Sequence, residues 1–103
     1  MAAHLSYSTT ANSTGAVACS FGAPPVGGSN LAAALGTATS ATVQIQVRVG
    51  AEWLLADTLQ LPHPTTGVTA LNCPIYPAYN AVRWNVTTIA GGSINLDAVG
   101  LGV

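Results

Sequence analysis

The sequence predicts an all-β fold, an antiparallel β-sandwich or small jelly-roll-like barrel of about six to eight short strands. Three observations carry that expectation. Residues Thr42–Val49 (TVQIQVRV) alternate strictly between polar and β-branched apolar side chains, the period of a half-buried strand. Clusters of Gly, Pro, Asn and Ser punctuate the chain at intervals of roughly 8–12 residues, the spacing of short strands joined by turns. The one stretch of good helix formers, Leu31–Leu35 between Asn30 and Gly36, makes about one helical turn, too short to hold by itself. A buried strand fits it at least as well.

The elements follow in order. Residues 1–14, dominated by Ser, Thr and Asn, read as an extended N-terminal arm or a first edge strand. Residues 15–103 read as a single β-sandwich domain. Residues 15–21 (GAVACSF) are a short strand and 22–30 (GAPPVGGSN) a loop. In Thr42–Val49, Val43, Ile45, Val47 and Val49 face one way, and Thr42, Gln44, Gln46 and Arg48 the other. Gly50-Ala51-Glu52 turns the chain into Trp53–Leu61, where Trp53, Leu55, Leu59 and Leu61 share one parity. Asp57 has that same parity, which predicts a bulge or a strand end there.

Pro62–Gly67 reads as a loop and Val68–Cys73 as a strand stopped by Pro74. Pro74 and Pro77, three residues apart, disfavour a central strand and predict an extended crossing between sheets. Asn80–Ile89 alternates again, with Val82, Trp84 and Val86 opposed to Arg83, Asn85 and Thr87. Ala90–Ser93 reads as a hairpin turn. Ile94–Val103 reads as the last strand, with a parity change between Ala98 and Val99 that predicts a bulge or a change of partner.

Composition narrows the function. Half of the 103 residues are hydrophobic and 5% are charged, against about 25% in ordinary soluble domains. Both cations are Arg, there are three carboxylates and two His, and the net charge is -1. Two arginines far apart in sequence predict no basic stripe, which excludes phosphate-tracking nucleic-acid binders and polybasic membrane-surface binding. No apolar run approaches the ~20 residues of a membrane-spanning helix. The first 25 residues contain no Lys or Arg and do not read as a signal peptide. Without one, Cys19 and Cys73 read as reduced, packed thiols rather than a disulfide. The Asn12-Ser13-Thr14 and Asn85-Val86-Thr87 sequons then carry no chemistry.

Groups for catalysis are few: Glu52, Asp57, Asp97, His4, His63 and the two thiols. His63 and Asp57 lack a GxSxG nucleophile, and His63 between two prolines reads as an exposed loop side chain. His63, Cys73 and Asp97 match no zinc spacing. Gly91-Gly92 and Gly100-Leu101-Gly102 precede no helix and cradle no phosphate. The sequence therefore predicts no catalytic residue, no metal site and no cofactor. Trp53 and Trp84 share parity with aliphatic neighbours and read as core anchors; the alternative makes one of them a stacking platform in a carbohydrate-binding module. Arg83 faces away from Trp84 and is expected to pair with Asp57, Asp97 or a backbone carbonyl, or to sit in a subunit interface.

Ser40-Ala41-Thr42-Val43-Gln44-Ile45-Gln46-Val47, a Gly-containing turn, Trp53 and a second aliphatic strand resemble a pattern in small structural proteins of tailed bacteriophages. The later Tyr79-Asn80-Ala81-Val82-Arg83-Trp84-Asn85-Val86 strand, the Gly91-Gly92 turn and the final strand Ile94–Leu101 extend the resemblance over roughly residues 40–103. It departs at Gly50-Ala51-Glu52, where the family often has Asp-Gly. The resemblance implies a non-enzymatic virion component, assembled in the host cytoplasm. The leading expectation is a capsid decoration (cement) protein that binds the major capsid protein or other virion subunits as a homo-oligomer, a trimer by analogy. Neck, tail or fibre location is the alternative within that class. In this reading residues 1–14 reach a neighbouring subunit by adding a strand to an open sheet edge.

Overall fold

A computed structural model describes residues 4–19, 27–75 and 81–101. The chain is all-β, with eight strands among the described residues: β1 (His4–Ala11), β2 (Gly15–Cys19), β3 (Ser29–Leu35), β4 (Ser40–Val49), β5 (Glu52–Leu61), β6 (Ala70–Ile75), β7 (Ala81–Ala90) and β8 (Ile94–Leu101). They form two four-stranded antiparallel sheets, ordered β1-β8-β3-β6 and β2-β7-β4-β5. We call these the first and second sheets.

The alternation read from the sequence becomes the core. Val43, Ile45 and Val47 of β4 and Val82, Trp84 and Val86 of β7 point inward from the second sheet. Leu31 and Ala33 of β3 and Ile94, Leu96 and Ala98 of β8 meet them from the first. The indole N–H of Trp84 crosses the sandwich and donates to the Ala32 carbonyl at 3.1 Å, which ties the sheets together with the largest buried side chain.

Residues 29–35 are extended, not helical. Leu31 and Ala33 are buried in alternation with half-exposed Asn30, Ala32 and Ala34, and the strand is paired on both sides. β1 pairs with β8 over eight residues and forms one edge of the first sheet.

Four local expectations are corrected. Ala90–Ser93 is not a hairpin turn, because it carries the chain from β7 in the second sheet to β8 in the first. Gly91 and Gly92 have φ of 87° and 151°, and a Cβ on Gly92 would fall 2.3 Å from the Thr37 Oγ1. β8 has no break at Val99: it runs in unbroken register with β1 and β3, Ala98 inward and Val99 outward. Pro74 does not stop β6 but lies within it opposite Asn30; β6 is an edge strand, where a missing N–H is tolerated. Pro77 lies outside the described residues, as do residues 22–26 of the first loop. The fourth correction concerns β5 and creates the site.

Candidate interaction surface around Trp53

The register of β5 against β4 shifts by one residue. Ile45 faces Asp57, but Gln46 faces Leu55, so Ala56 is the extra residue of a bulge. A bulge reverses parity beyond it. Leu59 and Leu61 are buried inward, whereas Trp53 and Leu55 lie on the outer face opposite Arg48 and Gln46. Trp53 is therefore half-buried on the surface and not a core anchor; Trp84, with no exposure, is one. The bulge expected at Asp57 stands one residue away.

Across β4 from β5 lies β7, where Arg83 is the partner of Gln46. The Arg83 Nε–H donates to Gln46 Oε1 at 2.7 Å, and its guanidinium carbon lies 4.1 Å from the Trp53 ring centroid. The guanidinium carbon of Arg48 is 6.0 Å from the same centroid. Gln46 Nε2 and Asn85 Nδ2 both donate to Gln44 Oε1, at 3.4 and 3.1 Å. This amide network holds Arg83 over the indole, at cation–π distance. Both cations of the chain thus share one outer face and one aromatic ring, although 35 residues separate them. The expected partners of Arg83, Asp57 and Asp97, are not what it touches; Gln46 and Trp53 are.

On this face Leu55 adds apolar surface, 58% exposed. Val49 and Leu54, exposed by 48 and 45%, have the opposite parity at the Gly50 end of the β4–β5 hairpin. Leu54 faces inward opposite Val47 but lies on an edge strand, so the core does not cover it. Trp, Arg and exposed Leu together are the composition of interface centres. Arg83 lies over one face of the Trp53 indole.

The remaining candidates are dispersed. His63 Nδ1 accepts the backbone N–H groups of Thr65 and Thr66, both at 3.2 Å, and so organises its own loop. Asp57 accepts the Thr58 N–H at 2.7 Å. Asp97 lies on the first sheet between Ser8 and Ala32. Among the described residues no three His, Cys, Asp or Glu side chains are grouped to hold a metal ion. Cys19 and Cys73 are free and buried; burial pushes the Cys19 thiol up to about 12, and burial followed by the charge of Asp57 raises Cys73. The side chain of His4 lies outside the described set. At the other end of β4, Asn12, Thr37, Ile89, Gly91, Gly92 and Ser93 line a shallow open cleft that contains no titratable group.

No family model matches this chain, and no curated protein matches it in sequence. Its fold is shared with solved structures of low identity. A protein from the SPBc2 prophage, YomS, superposes with a TM-score of 0.66 at 10% identity, over 99% of this chain and 96% of that one. The Drosophila NLP core, studied for pentamer formation and histone binding, gives 0.57 at 14% identity, over 95% and 96%. A mitogen from Yersinia pseudotuberculosis gives 0.54 at 13%, over 100% and 87%. At these identities the likeness is one of fold alone.

Proposed function

We propose that this chain is a non-enzymatic structural subunit of a phage particle, and specifically a decoration protein that binds the assembled head. The observation that carries the reading is the half-buried Trp53–Arg83 pair flanked by exposed Arg48 and Leu55, an interface-like surface that marks an assembling subunit, on a sandwich otherwise poor in charge. Such a surface presents the residue types that anchor interfaces. The likeness in fold to a prophage protein supports the setting. The pentamer formation of the Drosophila NLP core supports the idea that such a sandwich serves as a repeated subunit. A decoration protein works by mass action: binding only the assembled shell stabilises it, and many lattice sites add avidity.

The test is to locate the chain in purified particles of the virus that encodes it, by imaging and by mass spectrometry of separated heads and tails. Regular density on the head lattice supports decoration. Density in the neck or tail overturns decoration and keeps the structural class. Absence from the particle overturns both.

A further inference from the structure

The two outer faces of the sandwich carry opposite charge. On the second sheet the register places Arg48 and Arg83 outward, while Glu52 and Asp57 pair with Val49 and Ile45 on the other parity. That face therefore carries both cations and no carboxylate of its strands. The first sheet has one carboxylate and no arginine in its four strands: Asp97, exposed, on central strand β8. Around it the same face is built from Ser8, Ala32 and Ala34, with Asn30 and Asn72 joined by a 2.9 Å hydrogen bond.

We propose that the Trp53 face of one copy docks on the Asp97 face of a second copy, so that copies join head to tail. This rests on the reading of the chain as an assembling subunit and names its partner. Size and charge agree. Trp53, Arg83 and Leu55 are large side chains, whereas Ser8, Ala32 and Ala34 beside Asp97 are small. A guanidinium offers carboxylate a planar fork, and an Arg83 fixed by Gln46 and Trp53 loses little freedom on binding. Like-to-like docking is disfavoured: two Trp53 faces would bring four guanidinium groups together, and two Asp97 faces would oppose two carboxylates. The described residues span 39 × 30 × 24 Å, so even a smaller face approaches the roughly 800 Å² that each partner buries in a standard interface. A heterologous contact of this kind closes into a ring or continues as a filament, according to the rotation it imposes.

The experiment uses purified full-length protein and its solution mass by analytical ultracentrifugation. Asp97→Arg disables one face and Leu55→Arg the other; both positions are exposed, and circular dichroism checks that each variant folds. The wild type is expected to assemble, and each variant alone to be monomeric, with self-association weakened roughly a hundredfold. Mixing the two is expected to give a 1:1 dimer and nothing larger, because one intact face of each kind remains. Arg48→Glu, also at an exposed position, repeats the test with charge alone in place of Leu55→Arg. A monomeric wild type overturns the proposal. So does an assembly that survives Asp97→Arg, or a mixture that stays monomeric. Particle localisation is read separately, so a monomer found on the head lattice overturns only the head-to-tail contact.

Discussion

The guanidinium carbon of Arg83 lies 4.1 Å from the ring centroid of Trp53, while its Nε–H is held by Gln46 Oε1 at 2.7 Å. One side chain thus joins β7, β4 and β5 on the outer face. Arg83→Ala is expected to lose about 1–2 kcal/mol of stability, from a half-buried cation–π contact and a charge-assisted hydrogen bond. Arg83→Lys recovers only part, because an ammonium lacks the flat fork that stacks and donates at once. Arg48→Ala, exposed and 6.0 Å from the ring, changes stability by less than about 0.5 kcal/mol. Urea midpoints of the three variants check this ordering, and equal losses for Arg48→Ala and Arg83→Ala would refute it.

How much of this was legible in the sequence differs from strand to strand. Thr42–Val47 and Val82–Val86 were, because period-two alternation maps directly onto the two faces of a strand. Trp53 was not. It shares parity with buried Leu59 and Leu61, and only the extra residue Ala56 turns it outward. A bulge is set by pairing with another strand, so the sequence of β5 alone signals it only through the misplaced Asp57. The juxtaposition of Arg48 and Arg83 was also hidden, because β4 and β7 meet through a long-range pairing. The Gly91-Gly92 turn carries the chemistry of a hairpin, yet packing of the Thr37 loop on Ser93 takes the chain to the other sheet.

That crossover gives a contrast between two glycines. Gly92 combines φ of 151° with a Cβ position 2.9 Å or less from Thr37 backbone and side-chain atoms. Gly50 has φ of 62° and open space. Gly50→Ala should cost about 1 kcal/mol, the left-handed backbone penalty alone. Gly92→Ala adds a steric clash against Thr37, whose Oγ1 already accepts the Ser93 N–H at 2.9 Å, and should cost about 2–4 kcal/mol in all. Thermal melts of the two variants separate the contributions; a Gly92→Ala protein as stable as Gly50→Ala would show that the turn relaxes freely.

Trp84 offers a test of the sandwich itself. Its indole is fully buried, and its N–H reaches the carbonyl of Ala32 in the opposite sheet. Trp84→Phe keeps an aromatic ring but removes this donor and some volume, for an expected loss of about 1–3 kcal/mol. Trp84→Ala leaves a large cavity beside Ile45 and should cost about 3–5 kcal/mol, enough to unfold a marginal domain. Denaturant titration by circular dichroism measures both. A smaller loss for Trp84→Ala than for Trp84→Phe would mean that the core collapses around the deletion.

Cys19 couples the core to pH. Burial raises its thiol from 9.0 to about 12 in the folded chain, because the thiolate is poorly solvated between the sheets. The sign follows from proton counting. Below pH 9 the thiol is protonated in both states, and its contribution to stability is fully present. Between 9 and 12 the unfolded chain releases the proton and the folded chain keeps it, so unfolding becomes progressively easier as pH rises. Cys19→Ala removes this titration and leaves every other one in place. The stability of the wild type relative to Cys19→Ala should therefore be constant from pH 7 to 8 and fall steadily from about pH 9 upward. Urea titrations of both proteins across that range give the difference directly. The same protonated, buried thiol should resist alkylation at pH 8 in the folded protein and react at once in urea. A relative stability that stays flat through pH 11, with rapid alkylation of the native chain, would place Cys19 in contact with water and remove it from the core.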